Sequence, residues 1–129
     1  SQWLTYSLIE PIEEAGITVE KAYEMTGLAE YRNGGLLLDS GLITLKDEKL
    51  KEIAHLPNSE LIIEWRALTV SLLDKIADIV RDKLGFDENE FPLAKVLEGG
   101  TWWAGRRLAK EARADSTPPL KLASDGTVF

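Results

Sequence analysis

Apolar residues recur at helical spacing over most of this chain. Trp3, Leu4, Leu8 and Ile12 share one face of a segment from Ser1 to Ala15, where Pro11 is placed to bend or end a helix. Thr18 suits the N-cap of a short second helix through Met25, with Glu20 in its first turn and Gly27 as its stop. The longest periodic stretch is Glu60 to Leu84, which Asn58 or Ser59 can cap and Gly85 ends. Leu61, Trp65, Leu68, Leu72, Ile76, Ile79 and Leu84 form one stripe there, and Ile62, Ala67, Val70, Leu73 and Val80 widen it. A helix so apolar in its first half is expected at the centre of the fold, contacted from several sides. Pro92 suits the first turn of a short helix through Leu97. Glu98-Gly99-Gly100 then reads as a break, with Thr101 capping a further helix from Trp102 to about Arg113.

Two stretches follow another pattern. Leu36-Leu37-Leu38 and Leu42-Ile43-Thr44-Leu45 are short apolar runs separated by Asp39-Ser40-Gly41, which predicts a hairpin over Gly34 to Leu45. Leu120 to Ala123 and Thr127 to Phe129 flank Asp125-Gly126, a turn pair that predicts a second hairpin. Between them, LKDEKLKEIAHLP reads as an amphipathic turn or two stopped before Pro57, with His55 on the surface at its end. The expected class is mainly α (α+β): a long central helix surrounded by shorter helices, with two short β-hairpin-like pieces, in a single domain over residues 1–129.

Composition narrows the chemistry. The 129 residues are 44% hydrophobic and 29% charged, which suits a packed core. A net charge of −7 argues against non-specific nucleic-acid binding and against anionic membranes, both of which need basic patches. No cysteine and a single histidine exclude thiolate chemistry, disulfides, Cys-based clusters and a His-rich metal site, so neither metal nor cofactor is expected. No uncharged apolar run reaches the ~18 residues of a membrane span. A soluble, cytoplasmic protein is the expectation. The chain opens inside a helical pattern with no initiating Met, which suggests a piece of a longer protein; the resemblance below implies its C-terminal portion.

Three constellations can carry chemistry. In Tyr31-Arg32-Asn33-Gly34-Gly35 with Asp39, the glycines admit a ligand close to the backbone, and Arg32 with Asn33 could hold a phosphate or carboxylate. Asp39 at a strand end could stabilise a cation or activate water. The same residues would serve as a turn with Asp39 bonded to its backbone. In LEGGTWWAGRR, a Gly99-Gly100-Thr101 break would leave backbone N–H groups free at a helix start, an anion cradle beside Glu98. Arg106 shares a face with Trp102, and Arg107 with Trp103, so an arginine could stack on an indole beside a sugar or base. Helix capping and core tryptophans are the competing reading. Glu64, in Glu64-Trp65-Arg66 on the long helix, would pair with Arg106 or Arg32, or act as a general acid. Asp125 in SDGTVF is a weaker candidate, most simply a turn residue.

Taken in order, YRNGGLLLDSGLI, SELIIEWRALTVSLLD, PLAKVLEGGTWWAGRRLA and PPLKLASDGTVF resemble the C-terminal part of the uracil catabolism protein four family of fungi and bacteria. The resemblance spans essentially the whole chain. It implies a place in pyrimidine degradation by a route through ring-opened, ribosyl-bearing uracil derivatives that releases urea. It implies no established catalytic residues. The expected activity is a hydrolase acting on the C–N (N-glycosidic) bond of a ribosylurea-type intermediate, with Asp39 first and Glu64 or Glu98 second as the carboxylate. Arg32, Asn33, Gly99, Gly100, Thr101, Trp102, Arg106 and Asp125 would bind substrate. The partners implied are that small molecule and the rest of the same polypeptide, with no nucleic acid and no membrane. The alternatives are a non-catalytic structural or oligomerisation domain supporting an upstream active site, or a metabolite-binding domain.

Overall fold

The computed structural model describes residues 2–124. It is mainly helical, as expected, with only small β pieces. Helix α1 (Gln2–Glu14) runs through Pro11, which sits in the last turn, and closes at Gly16 in the left-handed region. The short helix expected from Thr18 shrinks to one 3-10 turn, Ala22–Glu24, because Lys21 ahead of it adopts a left-handed conformation that no helix can run through.

The first expected hairpin is a helix, α2 (Tyr31–Asp39). The Glu30 carboxylate accepts hydrogen bonds from the backbone N–H groups of Arg32 and Asn33, a side-chain cap that starts a helix where the glycines suggested a turn. Burial lifts the Glu30 carboxyl above its usual range, and those two backbone bonds and Arg32 pull the other way. Leu37 enters the core completely. Gly41, again left-handed, turns the chain back, and Ile43 N–H donates to Leu37 O at 3.0 Å. Leu42–Leu45 therefore forms no strand. Ile43 and Leu45 pack instead on a core cluster of Ile62, Trp65 and Leu120.

Helix α3 (Glu60–Leu84) has the expected bounds and ends at left-handed Gly85. Ile62, Trp65, Thr69, Leu73, Ala77 and Arg81 form its buried stripe at three- and four-residue spacing. Only that side is fully covered among the described residues: Ile63, Leu68 and Ile79 stay exposed, so α3 is not enclosed on several sides. A second core cluster, Leu28, Leu73 and Leu97 with Tyr6 and Leu93 against it, joins α1 and α3 to the later helices.

Helix α4 (Leu93–Val96) runs through a π-helical turn (Leu97–Thr101) into α5 (Trp102–Ala112), so the expected break at Glu98-Gly99-Gly100 is a widened turn of one continuous helix. Strand β1 (Ala54–His55) pairs in parallel with β2 (Lys121–Leu122), Ala54 opposite Lys121 and His55 opposite Leu122. Leu120–Ala123 thus finds its partner far upstream rather than across a local turn. Asp125-Gly126 and Thr127–Phe129, the remainder of the second expected hairpin, lie outside the described residues. His55 is buried rather than on the surface, with Nε2 2.7 Å from Leu50 O. No helix among the described residues is long and apolar enough to cross a membrane.

Candidate functional site

The centre of the molecule is the crossing of α2 and α5. A Cβ added at Gly105 would lie 2.1 Å from Arg32 O, so the two backbones touch there as only glycine allows. Gly34 faces the Trp65 indole in the same way, and Trp65 Nε1–H donates to Gly34 O at 3.0 Å. Asn33, almost fully buried, donates from Nδ2 to Leu28 O (3.2 Å) and accepts at Oδ1 from Thr101 Oγ1–H (2.8 Å). The Asn33–Thr101 bond thereby ties α2 to the π-helical turn. Thr101→Val would leave Asn33 Oδ1 buried and unsatisfied, and urea unfolding is expected to show a loss of about 1–2 kcal/mol.

On one side of that turn lies a cleft of about 460 Å³. Its walls are Trp3, Tyr6, Ser7 and Glu10 from α1, Leu28 and Asn33 from below, and Glu98, Trp102 and Trp103 from the turn and α5. The two indoles meet edge to face, with centroids 5.2 Å apart and planes at 82°. The Arg106 guanidinium stands 4.9 Å from the Trp102 centroid and 5.3 Å from that of Trp103. The expected Trp102–Arg106 stacking is present. Arg107 instead lies 3.7 Å from Glu111. Tyr6 O–H donates to Thr26 O at 2.9 Å, and burial, then Asp74, raises its pKa above the usual phenol value. An aromatic-walled cleft with Glu10 and Glu98 at its edge suits a planar ligand rich in N–H donors, or a cation.

The expected site residues are brought together only in part. Asn33, Glu98 and Trp102 line this cleft, and Arg106 stands behind its indoles. Gly99, Gly100 and Thr101 do not form the expected anion cradle. The backbone is helical on both sides of them, Thr101 makes no cap bond, and its hydroxyl is spent on Asn33. Asp39 is held elsewhere, in a two-point ion pair with Arg113 (2.8 and 2.6 Å). Arg32 donates from Nη1 to Ser116 O at 2.9 Å and lies 4.7 Å from the Tyr31 centroid. Glu64 is exposed on a separate groove of about 260 Å³ with Leu38, Ile43 and Leu61. With Arg32 and Arg106 so engaged, the expected pairing of Glu64 with either is not formed. Asp125 lies outside the described residues. Among those residues no group of three or more His, Cys, Asp or Glu side chains could hold a metal ion.

Sequence reasoning missed the α1 wall. Trp3 with Ser7 and Tyr6 with Glu10 are spaced by four, so each pair shares a helix face. That spacing puts polar groups beside aromatics, but it does not say which other helix the face meets.

The profile of the family described as "Protein of unknown function (DUF1688)" matches residues 1–129, and the chain belongs to that family. Among curated proteins it is similar to "Protein urg3" of Schizosaccharomyces pombe, 43% identical over 132 residues. It is also similar to "Uracil catabolism protein 4" of Lachancea kluyveri, 41% identical over 147 residues. Each match covers 100% of this chain and 33% of the relative, so the chain spans about a third of the length of these relatives. No solved structure matches it significantly.

Proposed function

We propose that the chain serves uracil catabolism, and that the cleft between α1 and the π-helical turn receives a ring-opened, ureido-bearing pyrimidine derivative whose C–N (N-glycosidic) bond is hydrolysed. The name of the Lachancea relative supports the pathway. The observation that carries the reading of the site is Glu98: of the three expected carboxylates, it alone lines the aromatic cleft. A ureido group is planar and rich in N–H donors, so it can lie against Trp102 and Trp103 and donate to Glu98 or Glu10. In hydrolysis, water adds to the sugar carbon as the C–N bond breaks. The bonding pair leaves with the urea nitrogen, which takes a proton, and a carboxylate accepts the proton of water and stabilises the oxocarbenium-like charge. Glu98 fills that role. Arg106 does not line the cleft; stacked on both indoles, it orients the wall against which the ligand lies.

Incubating this chain and the full-length Lachancea relative with ribosylurea and its 5-phosphate, with urea as the readout, tests the reading. Urea release is expected, and Glu98→Gln is expected to lower kcat at least about tenfold with KM little changed. Absence of urea from both proteins would sink the hydrolase. Release untouched by Glu98→Gln would move the carboxylate elsewhere and favour a packing domain that supports a site in another part of a longer protein.

A further inference from the structure

Beside the π-helical turn lies a second groove, of about 820 Å³, walled by Leu36 of α2, Ile76, Val80 and Leu84 of α3, Phe91, and Trp103 of α5. Gly99 and Gly100 line it together with these side chains. These two glycines differ from the other described glycines. Gly34 and Gly105 are required by close contacts inside the chain, and Gly16, Gly41 and Gly85 by positive φ. Gly99 and Gly100 have neither reason: neither has positive φ, and a Cβ at either would meet nothing within 4 Å. A glycine inside a helix costs about 1 kcal/mol relative to alanine, and this helix carries two in succession. The missing side chains make room for no contact among the described residues. What two bare glycines do provide is a strip of naked backbone between apolar walls, the surface on which a second helix can pack at close range. Leu84 and Trp103, on the groove's walls, are 55% and 57% exposed, so the apolar lining lies open. Lys95 and Glu98 are the charged groups lining it.

We infer that this glycine-floored groove is a docking surface for an apolar helix from the part of the polypeptide that the curated relatives carry beyond the region matched here. That part is the occupant because both relatives are about three times as long as their matched region. The inference does not rest on the hydrolase reading, although Glu98 and Trp103 line both hollows.

The test uses two proteins: the 129-residue chain, and the Lachancea relative with its matched third replaced by this chain. Gly100→Leu is made in both. In the 129-residue chain the leucine projects into open space, and the Tm is expected to change little. In the long protein it fills the seat of the docked helix, and the Tm is expected to fall by several degrees. Amide hydrogen exchange over the π-helical turn and α5 is expected to be at least about tenfold slower in the long protein than in the 129-residue chain. Equal exchange in the two proteins, or a Tm of the long protein indifferent to Gly100→Leu, would overturn the inference. So would concentration-dependent dimerisation of the 129-residue chain that Gly100→Leu abolishes, since the occupant would then be a second copy. If the exchanged protein does not fold, the exchange comparison is read at the matched positions of the unaltered Lachancea relative, and rapid exchange there counts equally against the inference.

Discussion

Gly105→Ala is expected to destabilise the protein by about 3 kcal/mol or more, a greater loss than from alanine at any other described glycine. The new Cβ would lie 2.1 Å from the carbonyl oxygen of Arg32, inside any tolerable contact distance. The obstacle is backbone, so no rotamer change relieves it. α2 and α5 would have to separate, and that would stretch the Thr101–Asn33 bond and loosen Trp65 from Gly34. Gly99→Ala is the control, because its Cβ meets nothing within 4 Å and alanine is the better helix former. Urea unfolding of both variants checks this. A Gly105→Ala midpoint equal to that of the parent would mean that the two helices do not cross as described.

Asp39→Ala is expected to cost about 2–3 kcal/mol, and to act on stability rather than on chemistry. The Asp39 side chain is only 7% exposed and meets Arg113 at two points. The Arg113 guanidinium is held above its already high pKa, chiefly by its hydrogen bond to Asp39. Breaking a fully buried pair costs somewhat more. The smaller figure applies here because Arg113 is 25% exposed and can turn its charge to water. Arg113 also donates from Nε to Thr117 O at 2.6 Å, and Pro119 lies against Gly35. The pair therefore straps residues 113–119 over α2. A double-mutant cycle with Arg113→Ala is expected to show that most of the Asp39 effect is coupling between the two side chains. In the urea-release assay, Asp39→Asn is expected to lose activity only in proportion to its unfolded fraction. A large fall in kcat in a fully folded Asp39→Asn protein would return Asp39 to the chemistry.

These two predictions concern residues whose roles could not be read along the chain. Gly34, Gly35 and Asp39 in YRNGGLLLDSG suit a turn followed by a strand about as well as a ligand site. A three-leucine run is too short for its period to separate helix from strand. Glu30 decides the matter locally by capping the backbone, and Trp65, Gly105 and Arg113 hold the result from distant parts of the chain. Gly34 proves to be a site of close approach to α3, Gly35 a seat for Pro119, and Asp39 the anchor of a strap.

The long helix was legible because twenty-five residues of apolar period carry their own signal, closed by a glycine that must be left-handed. The mainly helical class, the acidic balance and the exclusion of cysteine chemistry were fixed as directly by residue types and their spacing. The two β pieces were not, since β1 and β2 lie far apart in sequence and pair in parallel, which no local turn pattern announces. The continuity of α4 with α5 was hidden by a Gly-Gly pair that ordinarily breaks helices. It persists because Thr101 gives its hydroxyl to buried Asn33 instead of to a cap. The cleft wall from α1 and the parting of Glu98 from Asp39 and Glu64 belong to the same category. Periodicity tells which face of a helix seeks cover, and only packing among the helices chooses what it meets.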